Sequence, residues 1–589
     1  MKSVSKINWL FPCLFLVVLV SSQQRLNAMP PYPDSEAQIK LDKIILPEHL
    51  LHPKYLVENP ARGGEEKGIN QPSLHPLSGK YPTGTGPVGS FKALVLLVNF
   101  TDNPSSVNAS FFDTLIFENQ QGCVRHYYRE VSYNVLDIVT VNLPSATGWH
   151  TAPRTYSYYV NGHYALGSYP RNSQKLVEDL VDLVDPVVNF SQYDNDGDGK
   201  VDALIVVHAG TGAEFPPYSL DDIWSHKWAV TWSWSTALKD GVRIWEYTIQ
   251  PEYWQTPYDM TCGVFCHELG HVFGLPDIYD TDYSSYGVGR WSLMAEGSWN
   301  GYLQMGNSPA HPDAWCMQRL GYVTPTTVAA NTTGVKIPAI KNSPTTYKLW
   351  TDGAPTSEYF LVENRQKKGY DSYLPYAGLL IWHVDENIGD YGANDDEWYP
   401  GHTAYGHYKV ALEQADGLWE LEKTAPFGYV NYSGDPYPGV SNNRTLNGSS
   451  VPNSRSYAGT DTYVGVTNIS NSGDTMTCNF FVSPLGVQDQ TDDDHLPDSY
   501  LLEQNYPNPF NPETKIEYTL KKDGPVKLEV FNVLGQKILT LVDCYKEKGK
   551  HVVTWNGTDE EGRPLSSGIY FYRITTDNFQ KTNKMILLK

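Results

Sequence analysis

The sequence predicts a multidomain α+β protein, with a mixed α/β layer first and β-rich modules after it. Three observations carry this. At 589 residues the chain is too long for one core. Two continuous apolar runs, FKALVLLVNF (91–100) and ALIVVHAG (203–210), read as buried strands, with helical spacing between them in QKLVEDLVDLVD (174–185). Beyond about residue 330 the helical periodicity fades, and Tyr- and Trp-rich alternating segments punctuated by Gly and Pro replace it.

In chain order, Lys2 and Lys6 precede an apolar run from Trp9 to Val20, and Ala28 closes a polar stretch. This is a signal-peptide layout over 1–28, and the run falls short of the roughly twenty residues needed to span a bilayer. No later segment is long and apolar enough to span, so no transmembrane segment is expected in the mature chain. Residues 29–88, rich in Pro, Gly and charge, read as a pro-segment that covers the active site until it is removed. Residues 89–330 hold the α/β layer. Residues 331–485 are expected to be mostly β, through EYFLVENRQ, AGLLIWHV and YKVALEQADG. An acidic, Pro-containing linker is expected at 486–498. In 499–589, KIEYTL, VKLEVFNV, HVVTWNG, GIYFYRI and KMILLK are short, regularly spaced strands that suggest a sandwich.

The formal net charge of −22 argues against nucleic acid as a partner, because phosphate would be repelled. It suits a secreted protein that also binds calcium. Six cysteines remain after Cys13 leaves with the signal, too few for a disulfide scaffold. Cys262 and Cys266 stand one turn apart and read as core thiols.

The strongest motif is HELGHVFGLPD, residues 267–277. His267 and His271 are four apart, so on a helix they share a face and both imidazoles reach one ion. Gly274 is able to take the left-handed conformation that closes a helix, and Pro276 prevents its return. The chain folds back and brings Asp277 to the same ion. Three protein ligands plus water define an open, catalytic zinc site. Glu268, beside the first ligand, is placed to take a proton from the zinc-bound water and pass it to the leaving amine of a peptide bond.

A second motif, DNDGDGKVD (194–202), sets Asp194, Asp196, Asp198 and Asp202 at loop positions one, three, five and nine of an EF-hand-like loop. Gly199 stands at the sharp turn, and the Lys200 carbonyl serves position seven. Ile205 replaces the usual bidentate Glu, so structural calcium is expected outside a true EF-hand, pinning the strand that begins at Ala203. Asp280 and Asp282 give a fainter signal of the same kind.

GVGRWSLMAEGSW (287–299) resembles the methionine turn beneath the zinc of metzincins, with Met294 as the packing residue. Glu296 is a rival third zinc ligand, of the downstream kind used by thermolysin-like enzymes; the position of Gly274 favours Asp277. Together with EYFLVENRQKKGYDSYLPYAGLLIWHVDE, VALEQADG and GDPYPG, these motifs resemble the immune inhibitor A family of secreted metallopeptidases over about residues 90–484. That resemblance implies a metzincin-like catalytic domain, bound calcium and a β-rich domain behind it. It also implies zinc ligands His267, His271 and Asp277, with Glu268 as base. LLEQNYPNPFNPETKIEYTL and TWNGTDEEGRPLSSGIYFYRI resemble the C-terminal sorting domain of type IX secretion, which implies an immunoglobulin-like fold, a partnership with that secretion machinery, and a secreted or bacterial cell-surface location. The function expected is a secreted zinc endopeptidase acting on extracellular proteins and peptides. The alternative is a surface adhesin or binding protein on a protease-like scaffold.

Overall fold

The structure is a computed structural model that describes residues 84–216, 218–231, 237–282, 284–402, 406–423, 430–483 and 500–588. The expected signal peptide, the expected linker and residues 29–83 of the expected pro-segment lie outside the described residues.

The α/β layer is a five-stranded sheet. Its strands are β1 (Leu94–Asn99), β2 (Trp149–Thr151), β3 (Leu204–His208), β4 (His226–Ala229) and β5 (Glu246–Pro251), in the order β2-β1-β3-β5-β4. All neighbours are parallel except β4, which runs antiparallel to β5 at one edge. Both faces are covered, which is why β1 and β3 read as unbroken apolar runs. Leu94, Leu96, Leu204 and Val206 pack on one side with Leu176, Val177, Leu180 and Val181 of α3 (Ser173–Val184). Val95, Leu97, Ile205 and Val207 pack on the other side. There they meet α1 (Ser110–Phe117), α2 (Val124–Val131) and α4 (Cys262–Val272). Asn172 caps α3, its side chain accepting from the Lys175 amide.

A second five-stranded sheet follows, through Thr326–Val328, Tyr347–Leu349, Glu358–Arg365, Gly378–Asp385 and Val410–Leu412. Its two long strands are buried along nearly their whole length, because each face has its own partner. Phe360, Val362, Leu379 and Ile381 pack against Val466, Met476, Cys478 and Phe480 of a three-stranded sheet. The alternate residues Tyr359, Leu361, Leu380 and Trp382 join the same core as α4. That core draws residues from Phe91 through Val430, and the described residues between 84 and 483 belong to one compact unit.

The seam between the α/β layer and this sheet is polar as well as apolar. Arg365, fully buried, grips Asp371 through Nε and Nη2 at 2.8 and 2.7 Å. It also donates to the main-chain carbonyls of Trp291 and His311. Glu130 of α2 accepts from His311 at 2.9 Å and from the Tyr370 amide, and pairs with Lys341 at 3.0 Å. Burial pushes the Glu130 carboxyl up, but His311, the Tyr370 amide and Lys341 outweigh it and hold it at about 2. A carboxyl held below its unfolded value stabilises the fold above that value, near 4.5, and loses this as the pH falls toward 2. In a denaturant series, wild type should therefore lose midpoint concentration between pH 4.5 and 2 more steeply than Glu130→Gln. Parallel acid limbs would discard the assignment.

Residues 500–588 form a separate unit with their own core. A three-stranded and a four-stranded antiparallel sheet enclose Ile516, Leu528, Val530, Trp555, Tyr572 and Met585. All five strands expected from the sequence are present. Lys537–Lys546 is an additional long strand on the sheet edge; it is largely half-buried or exposed along its length, so no alternation marks it in the sequence.

Candidate metal centre

Helix α4 is buried along its whole length, as Cys262–Val272. It stops where the sequence predicts. Phe273 is the last capping residue and Gly274 takes φ +93°, a conformation that strains any residue with a β-carbon. The Leu275 amide then bonds back to the Gly270 carbonyl at 3.0 Å, and the chain reverses. Asp277 is thereby carried under the helix.

His267 Nε2, His271 Nε2 and Asp277 Oδ1 come together. The two imidazole nitrogens are 3.1 Å apart, and each is 3.2 Å from the carboxylate oxygen. All three residues are at most 3% exposed. Tetrahedral ligands about 2.0–2.1 Å from a zinc stand about 3.3 Å from one another, so the spacing fits that ion. The tautomers fit as well. His267 Nδ1 bonds the Leu293 carbonyl at 2.9 Å and His271 Nδ1 the Leu275 carbonyl at 2.8 Å. Those carbonyls only accept, so each Nδ1 carries the hydrogen and each Nε2 offers a lone pair to the cluster. Two lone pairs and a carboxylate facing one another make a donor set that a cation would fit. Burial pushes the His271 imidazole below its ordinary value despite the pull of Asp277. Burial also pushes the Asp277 carboxyl up, but the two imidazoles outweigh that and leave it below the usual range. Neutral histidine beside ionised aspartate is the protonation state a metal requires.

The methionine turn supports the helix from below. Met294 is fully buried, and a β-carbon on Gly270, between the two histidines, would sit 2.5 Å from its Sδ. The same turn supplies the Leu293 carbonyl to His267, and the Met294 carbonyl accepts the Ile278 amide at 3.0 Å. Glu268, fully buried, follows the first ligand and stands outside the three-residue cluster. Glu296 is placed elsewhere. Its carboxylate accepts from Tyr432 at 3.3 Å, and burial pushes it up to about 7 against the pull of Arg290 and Tyr432. Cys262 and Cys266 are buried free thiols outside the cluster.

The acidic loop also closes on itself. One carboxylate oxygen from each of Asp194, Asp196, Asp198 and Asp202 lies within 4.8 Å of the others. Gly197 and Gly199 take φ +78° and +82°, and their amides bond the Asp194 carboxylate at 2.8 and 3.0 Å. Lys200 sends its ammonium to Asp198 at 2.9 Å. Asn195, which sequence reasoning passed over, ties the loop to the sheet side. Its amide oxygen accepts from Lys92 N at 2.7 Å, and its nitrogen donates to Lys92 O at 3.0 Å. Among the described residues, Asp280 and Asp282 do not join a three-residue cluster.

Two histidines and an aspartate placed to share one ion, with a glutamate beside the first histidine on a buried helix, are the donor set found in metal-dependent peptidase domains. Comparison with known proteins finds likeness in two segments. Residues 80–323 match the immune inhibitor A peptidase M6 catalytic domain, and residues 504–588 match the secretion system C-terminal sorting domain. The chain carries both. Immune inhibitor A of Bacillus thuringiensis subsp. alesti is 30% identical over 290 residues, 38% of this chain and 40% of that protein. The pre-pro-metalloprotease PrtV of Vibrio cholerae serotype O1 (strain M66-2) is 29% identical over 281 residues, 39% of this chain and 29% of that protein. The chain thus spans less than half the length of either relative. Among solved structures, OgpA from Akkermansia muciniphila covers 88% of this chain and 97% of its own, at 10% identity and a TM-score of 0.21, a likeness too slight to carry an argument. The sorting domain marks the protein as secreted or held at the cell surface. Among the described residues, no helix is long and apolar enough to cross a membrane.

Proposed function

We propose that the protein is a secreted zinc-dependent endopeptidase that hydrolyses peptide bonds of extracellular proteins, on a metzincin-like catalytic layer. The observation that carries this is the convergence of His267 Nε2, His271 Nε2 and Asp277 Oδ1 within 3.2 Å, with both Nδ1 hydrogens committed to main-chain carbonyls. Zinc held there supplies Lewis acidity to a peptide carbonyl and to a water. Glu268 takes a proton from the attacking water and delivers it to the leaving nitrogen. The Leu293 and Leu275 carbonyls hold the imidazoles in the ligating tautomer. Met294 fills the space beneath Gly270 and sets the floor of the site. The burial of the helix keeps bulk water from Glu268.

Casein hydrolysis by the purified chain should vanish after treatment with a zinc chelator and return when zinc is added back, with close to one zinc per chain by metal analysis. Activity that survives full removal of the metal would refute this reading.

The acidic loop is proposed to bind calcium through Asp194, Asp196, Asp198 and Asp202, together with the Lys200 carbonyl. Calcium at a hundred times its dissociation constant should add about 2.7 kcal/mol of stability. The thermal midpoint should rise accordingly, and Asp194→Asn with Asp198→Asn should abolish the rise. A midpoint indifferent to calcium would end the proposal.

A further inference from the structure

We propose that Asn394, which lies beyond the matched catalytic segment, is a positioning residue for the metal ligand Asp277. This rests on the metal reading of the site above.

Asp277 is carried on a short loop, and its place depends on what holds the next peptides. The Ile278 amide donates to Met294 O at 3.0 Å. The Ile278 carbonyl has two acceptor positions, and both are filled. One takes the Val288 amide at 3.2 Å and the other takes Asn394 Nδ2 at 2.9 Å. Asn394 is itself fully buried. Its nitrogen also donates to Val410 O at 2.8 Å, and its oxygen accepts the Val410 amide at 3.2 Å. Every polar atom of the side chain is therefore engaged. The amide splices the residue after the ligand to the edge strand Val410–Leu412 of the second sheet. Asp395 extends the same grip, accepting both the Thr281 amide and its hydroxyl at 2.8 Å. The Asp277–Thr281 loop is thus clamped from one side by the methionine turn and from the other by residues 394–395.

Partners that orient a ligand in this way change metal affinity by about 10- to 100-fold when they are lost. The test measures zinc affinity of the full chain by competition with a chromogenic chelator, independent of peptidase activity. Asn394→Leu is near in shape and removes all three hydrogen bonds. Asn364→Leu is the control. Asn364 is equally buried, but its Nδ2 bonds Ile337 O at 2.9 Å and Gly473 O at 3.0 Å, away from Asp277. The expected result is zinc binding weakened about 10- to 100-fold in Asn394→Leu, and unchanged in Asn364→Leu even where thermal stability falls. Unchanged affinity in Asn394→Leu, or equal loss in both variants, overturns the proposal. Should Asn394→Leu not fold, wild type decides. Zinc loading should slow hydrogen exchange at the Val410 amide, which Asn394 couples to the ligand loop, and no change there overturns it. A wild type that takes up no zinc while folded would instead remove the metal reading itself.

Discussion

Glu268→Gln should cut peptide hydrolysis by about 10²- to 10⁴-fold while zinc remains bound, because the amide keeps the shape of the carboxylate but takes up no proton. Glu268 is fully buried on α4 and follows a ligand without being part of the ligand cluster. Its loss therefore acts on proton transfer and leaves His267, His271 and Asp277 in place. Three readouts separate the roles. Zinc content should match wild type, the thermal midpoint should move little, and kcat should carry the loss. Substrate binding that rests on groups outside the proton transfer should leave KM near its wild-type value. A variant that retains activity within tenfold of wild type would take the base assignment away from Glu268. A variant that loses zinc would make Glu268 part of the metal's support.

The second large effect is on stability. Arg365→Met should destabilise the chain by about 3–5 kcal/mol, because it leaves the buried Asp371 carboxylate without its bidentate partner. Burial pushes the Asp371 carboxyl up, and Arg365 and His311 are what hold it below the usual range. The same change takes a donor from the Trp291 carbonyl, within the methionine turn, and from the His311 carbonyl, which also accepts the Leu293 amide of that turn. The double replacement Arg365→Met with Asp371→Leu should recover part of the loss, since it removes the uncompensated charge together with its partner. Urea unfolding of the three chains measures this. A single variant within about 1 kcal/mol of wild type would show that the pair is solvated after all.

The candidate metal centre is legible in the sequence because its chemistry is local. A spacing of four, a glycine able to take positive φ, a proline and an aspartate all fall within eleven residues, and the helix ends where they require. The acidic loop is legible for the same reason. The α/β layer announces itself through runs that only a sheet covered on both faces would need. The supports of the site are another matter. Asn394 lies 117 positions from Asp277, and Arg365 lies 74 from Trp291. A lone Asn in a Gly- and Asp-rich segment, or an Arg at the end of an apolar strand, gives no hint of such a partner. Glu296 is a rival by its place downstream of the second histidine, and only the turn of the chain shows that it faces Tyr432. Lys537–Lys546 escaped notice because an edge strand half open to solvent needs no alternation.

A gene fragment cut near residue 323 would remove Tyr359, Leu361, Leu380 and Trp382 from the core that α4 shares, and would open that core to solvent. Anyone grafting the candidate metal centre onto another carrier has to move residues 84–483 as a single cassette. The natural place to splice is the stretch before residue 500, beyond which the chain builds a hydrophobic interior of its own.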